Sequence, residues 1–145
     1  MRCALATCEN PLERDVDADF LVPALTRAGA QAETPAWSDP AVDWGSFDVV
    51  IPNSTWDYHE REAEFRAWLR SVDAATRLRN PLALIEWNLD KRYLRELEAE
   101  GVPIIPTVWG EPGGEAAVAA EIDARGWPEL IIKPVVDLGA RNLIR

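Results

Sequence analysis

At 145 residues with 48% hydrophobic content, the chain can bury a real core but has no room for several large domains. Its 25 acidic and 15 basic residues give a formal charge of -10, which repels phosphate backbones and anionic lipid surfaces, so neither nucleic acid nor a membrane is an expected partner. Cys3 and Cys8 match no zinc or redox spacing, no run approaches the roughly 20 apolar residues of a bilayer span, and residues 1–7 are too short for a signal peptide, so a reducing cytoplasm is expected.

Residues 2–7 form a short apolar run that predicts a buried strand, broken by Glu9, Asn10 and Pro11. Over residues 15–28, Val16, Phe20, Leu21, Ala24, Leu25 and Ala28 recur at helical spacing, with Asp15 placed to cap, Pro23 to kink and Gly29 to terminate. Residues 47–52 read as a second buried strand. A helix over 59–73 turns Phe65, Trp68, Leu69 and Val72 to one side. Residues 81–87 mark a hinge, followed by a helix over 88–100 that is capped by Asn88 and ended by Gly101, with Leu89, Tyr93, Leu94 and Leu97 inward. Residues 102–108 are apolar but carry Pro103 and Pro106, which leaves at most a short edge strand. A helix over 115–124 follows, and residues 130–134 then read as another buried strand ending in a lysine. Alternating strands and helices predict an α/β fold with a largely parallel sheet, divided into residues 1–86 and 87–145.

Neither the dinucleotide fingerprint nor the P-loop occurs, so phosphate binding would need another device. The candidates are Lys91 and Lys133, followed by the loop with Gly139 and Arg141. Net charge does not exclude a small anion, because a few well-placed cations reverse the sign locally. The segment Ser54-Thr55-Trp56-Asp57-Tyr58 leaves the carboxyl end of a strand, where open α/β sheets commonly bind ligands.

Four motifs in one order carry a resemblance: Asp48-Val49-Val50-Ile51-Pro52-Asn53-Ser54-Thr55-Trp56-Asp57-Tyr58-His59, Trp87-Asn88-Leu89-Asp90-Lys91-Arg92-Tyr93-Leu94, Gly101-Val102-Pro103 and Ile132-Lys133-Pro134. Together they resemble the bacterial ATP-grasp superfamily of ligases, and within it the O-ureido-serine cyclo-ligases of cycloserine biosynthesis. The resemblance implies a pre-ATP-grasp α/β domain over residues 1–86 and the first lobe of an ATP-grasp domain, cut short, over 87–145. It also implies an enzyme that activates a carboxylate as an acyl phosphate for attack by an amine or similar nucleophile. Lys91 and Lys133 then match the family's two nucleotide lysines, and Gly139 and Arg141 fall in a loop closing over the phosphates. Ser54, Thr55, Trp56, Asp57 and Tyr58 become the candidate contacts for a small carboxylate or amino-acid-like substrate. ATP and Mg2+ are the implied cofactors, with the metal ligands expected beyond Arg145, so the reading is of a fragment or shortened frame.

Plainer readings stand beside these. Lys91 next to Asp90 suits a solvated helix turn, Asp57 with Glu60 suits a capping box, and the lone His59 suits a helix start better than a metal site. An inactive binding or assembly remnant of the same fold is the alternative function. A Rossmann-type enzyme is disfavoured by the lack of a glycine-rich turn after Thr7.

Overall fold

The computed structural model of the chain describes residues 1–9 and 16–138, and the chain divides into two compact units, Met1–Leu89 and Asp90–Arg145. In the first, the expected apolar run forms β1 (Arg2–Thr7), and residues 3 to 6 are buried almost completely because β1 lies inside a four-stranded parallel sheet of order β2-β1-β3-β4. Its neighbours are β2 (Gln31–Glu33) and β3 (Val49–Ser54), and β3 also pairs with β4 (Arg77–Leu78). Alternation along β1 sorts its side chains between two faces. Cys3 and Leu5 join Val49 under Val22 and Leu25 of α1 (Val16–Arg27), whereas Ala4 and Ala6 join Val50 and Leu78 under α2 (Glu62–Ala75).

The α2 stripe is the one the periodicity predicts: Phe65, Trp68, Leu69 and Val72 are its buried residues. Burial of each such side chain contributes about 1.5–3 kcal/mol to the unit's stability. Trp37, Phe47, Trp68 and Phe65 share that cluster, with Trp44 and Tyr58 packed against it. α1 ends as Gly29 requires. Its N–H donates to Thr26 O, Ala30 N–H donates to Leu25 O, and the φ of +86° between them suits glycine alone among ordinary residues. Pro23 lies within α1 without ending it, and the expected Asp15 cap lies outside the described residues.

Several expectations need correction. The helix predicted from residue 59 begins at Glu62, because residues 55–61 close turns through Tyr58 N–H to Thr55 O, Glu60 N–H to Asp57 O and Arg61 N–H to Tyr58 O. The supposed hinge at 81–87 is helical: α3 (Leu82–Leu89) starts on the Pro81 carbonyl, which accepts from Leu84 and Ile85, and it carries Leu89 into the core of the first unit. Asn88 therefore lies inside α3 and caps nothing. The helix over 88–100 is broken by a turn in which Asp90 accepts the Arg92 N–H on its side chain and the Tyr93 N–H on its carbonyl. α4 (Tyr93–Ala99) follows it, and the inward set reduces to half-buried Tyr93, Leu94 and Leu97.

In the second unit, Gly101 closes α4 with the same pair of bonds that closes α1, Gly101 N–H to Glu98 O and Val102 N–H to Leu97 O. α5 (Glu115–Arg125) is the expected helix and ends at Gly126 in the left-handed conformation. No strand forms over 102–108, and residues 130–134 form no named strand, with Ile131 and Ile132 about half exposed. No helix among the described residues is long and apolar enough to cross a membrane.

Candidate functional site

Strand order places β2 on one side of β1 and β3 on the other, so the chain reverses its direction of sheet growth at the carboxyl ends of β1 and β3. Loops that diverge at such a point leave a crevice, where ligands of open α/β sheets settle. Ser54 stands at this end of β3. Its carbonyl accepts from Cys8 N–H at 3.0 Å and from Thr7 Oγ1 at 3.4 Å, and its hydroxyl oxygen accepts a hydrogen bond from Asn53 Nδ2 at 2.9 Å. The ladder shifts register between Ala6 and Thr7, opposite Pro52 and Ser54. Ser54 and Thr55 are buried, which leaves little of either residue open to a ligand here.

The rest of the segment is half-buried and held from outside itself. Asp57 Oδ1 accepts the indole N–H of Trp37 at 2.7 Å, and Tyr58 lies 5.4 Å from Phe65 and 5.9 Å from His59 between ring centroids. The expected capping box therefore does not form, since Arg61 takes the N-cap of α2 and makes no side-chain cap. Trp37 is the functional neighbour that sequence reasoning missed. It is placed by a parallel bridge between Thr7 and Ala36 and by its own N–H on Thr7 O, and nothing in a segment 20 residues before Asp57 announces that meeting. Arg61 was missed too. Its guanidinium lies 4.8 Å from the centre of the Trp37 ring and 2.6 Å from Glu64, whose carboxyl that hydrogen bond holds below the usual carboxylate range.

The second unit holds both candidate lysines. Lys91 sits in the turn between α3 and α4, where its N–H donates to Val135 O at 2.9 Å. Its ammonium donates to Asp137 O at 2.8 Å and to Val135 O at 3.4 Å. Burial pushes the Lys91 pKa down, and the like charge of Lys133 adds to this, while the buried Asp137 carboxylate and Asp90 oppose it. Lys133 is thus near enough for its charge to be felt, and its own side chain is exposed. An ammonium has three N–H bonds. Among the described residues two of those on Lys91 go to carbonyls, which ties residues 135–137 to the α4 turn and leaves one N–H for another acceptor. Gly139 and Arg141 lie outside the described residues. Among the described residues, no group of three or more His, Cys, Asp or Glu side chains could hold a metal.

Comparison with known proteins bears on both units. The family described as D-cycloserine synthetase DcsG, N-terminal domain, matches residues 3–80. The cycloserine biosynthesis protein DcsG of Streptomyces lavendulae is 41% identical over 134 residues, which cover 90% of this chain and 45% of that protein. The crystal structure of D-cycloserine synthetase DcsG superposes with a TM-score of 0.86 at 38% identity, covering 99% of this chain and 49% of the other. The chain spans about half the length of these relatives.

Proposed function

The chain belongs to the family of the D-cycloserine synthetase DcsG N-terminal domain, and from that premise we propose that it supplies the nucleotide-binding and substrate-entry portion of an ATP-grasp ligase. The observation that carries this reading is the second unit's pair of cations, with Lys91 held by Asp137 and Val135 and Lys133 within electrostatic reach. Partial burial and the charge of Lys133 make Lys91 costlier to keep protonated, Asp137 and Asp90 offset this only in part, and a bound polyphosphate would relieve the remainder. The remaining N–H of Lys91 and the exposed ammonium of Lys133 are the groups offered to its oxygens. Gly139 and Arg141 follow in sequence and are proposed as further contacts to the nucleotide.

ATP would supply the phosphoryl group that turns a carboxylate into an acyl phosphate. The residues of this chain would orient the nucleotide and, at the carboxyl ends of β1 and β3, receive a small carboxylate or amino-acid-like substrate beside Ser54, Thr55, Trp56, Asp57 and Tyr58. The described residues do not gather a donor set for magnesium, so no step is assigned to that ion here. Its ligands are proposed to lie elsewhere in the ligase, in a cytoplasmic setting.

Calorimetric titration of MgATP into the native chain, Lys91→Ala and Lys133→Ala tests the reading, with thermal unfolding of each variant run in parallel. Binding lost in both variants while folding persists supports it. Equal affinity in all three proteins overturns it.

A further inference from the structure

A concavity in the first unit goes beyond this reading. It is a shallow, open cleft of about 410 Å3 between the segment that follows β2 and one flank of α2. Trp37, Trp44 and Trp68 line it, with Trp68 edge-on to Trp44 at 5.1 Å and tilted to Trp37 at 6.0 Å between ring centroids; Trp44 is half-buried, and Trp37 and Trp68 are buried beneath their neighbours. Its charged groups are Asp39, Glu64 and Arg61, so two carboxylates face one cation on a chain of charge -10. Indole faces beside carboxylates attract organic cations, because the ring quadrupole and the anion act on the same charge. The cleft already shows this arrangement with a group of its own: the Arg61 guanidinium rests 4.8 Å from the Trp37 ring centre and pairs with Glu64. Trp68 adds a buried indole N–H that has no acceptor among the described residues.

We propose that this cleft is a binding site for a small molecule bearing a guanidinium or alkylammonium group, which takes the seat of Arg61 on Trp37 and the carboxylate of Glu64. Arg61 is the built-in competitor. The occupied seat lies on Trp37, whose N–H is bonded to Asp57, so occupancy reaches the segment after β3 through one shared ring.

The test titrates N-acetyl-argininamide into the native chain, Arg61→Ala, and Arg61→Ala combined with Glu64→Gln, following tryptophan fluorescence. N-acetyl-citrullinamide, of the same shape without the charge, serves as the control. Saturable binding is expected, tighter by about threefold in Arg61→Ala, with that gain reversed by adding Glu64→Gln; the steps correspond to the usual strength of exposed cation–π and ion-pair contacts. Circular dichroism verifies that the variants fold, and Arg61 and Glu64 are exposed enough for both changes to be tolerated. Three results overturn the proposal: no saturable signal in either the native chain or Arg61→Ala, equal binding of the uncharged control, or indifference to Glu64→Gln.

Discussion

Replacing Asp57 with alanine removes the acceptor that the Trp37 indole N–H meets at 2.7 Å. Trp37 is only 3% exposed, so water cannot readily replace that acceptor. A hydrogen bond to a charged group contributes roughly 1.5–3 kcal/mol and an orphaned buried donor costs roughly 1–3 kcal/mol; these overlap, so a net loss of about 2 kcal/mol is expected. For a unit of this size that corresponds to a melting temperature lower by about 10 °C. Asp57→Asn keeps the side-chain carbonyl and should cost about 1 kcal/mol or less. Trp37→Phe also gives up ring area packed against Phe65 and Trp68, so the shared hydrogen bond is isolated by combining it with Asp57→Ala. The coupling energy should be about 1–2 kcal/mol. Urea unfolding followed by near-ultraviolet circular dichroism measures it, because the aromatic cluster belongs to the first unit. Additive single effects, or a loss below about 0.5 kcal/mol for Asp57→Ala, would mean that the indole N–H is satisfied in another way.

Gly101→Ala should cost about 1–2 kcal/mol through backbone strain alone, because φ is +83° there and nothing lies within 4 Å of the added methyl; faster amide exchange confined to α4 and its turn would report it. Burial and the Lys133 charge depress the Lys91 pKa, so between that depressed value and the ordinary lysine value the unfolded chain binds more protons and stability rises with pH. A bound polyphosphate should raise the Lys91 pKa again, so MgATP binding should take up a proton in that alkaline window and not at pH 7. Calorimetry in buffers of different ionisation heat measures the uptake, and Lys91→Arg should abolish it. The Glu115 carboxyl is lowered by its own backbone N–H and that of Gly113. Its contribution to α5 is present above the unfolded value and lost as pH falls through the folded one, so Glu115→Gln should flatten the acid limb of a helicity titration.

The legible part of the fold was the part dictated by dense apolar patterning. β1, β3 and the α2 stripe follow from runs and periodicity whose burial outweighs local detail. β2 and β4 were missed because Gln31–Glu33 and Arg77–Leu78 are too short and polar to declare themselves, and they become strands only by pairing with β1 and β3. The break at Asp90 was hidden by helical spacing that runs unbroken from Leu89 through Tyr93 to Leu97, while the interruption depends on one carboxylate folding back onto the Arg92 N–H. Pro81 was read as a joint although a proline beside the first helical residue is equally a starting signal. At the site, the exit from β3 was visible in sequence order. Its partners Trp37 and Arg61 were not, because a side-chain bond between separate loops depends on the topology that joins them.

The sheet order also decides how the nascent chain must behave. β1 is made before every strand it pairs with, and its long partner β3 is complete only at Ser54. The emerging Cys3–Ala6 stretch must therefore wait on the order of 2–10 s at ordinary synthesis rates before a lasting neighbour exists. Parallel pairing offers no quick hairpin to shield it meanwhile. An apolar strand held open for seconds is a natural hold for chaperones, and slowing translation of the stretch from Cys8 to Asp48 should lower the soluble yield more than slowing it after Asp90.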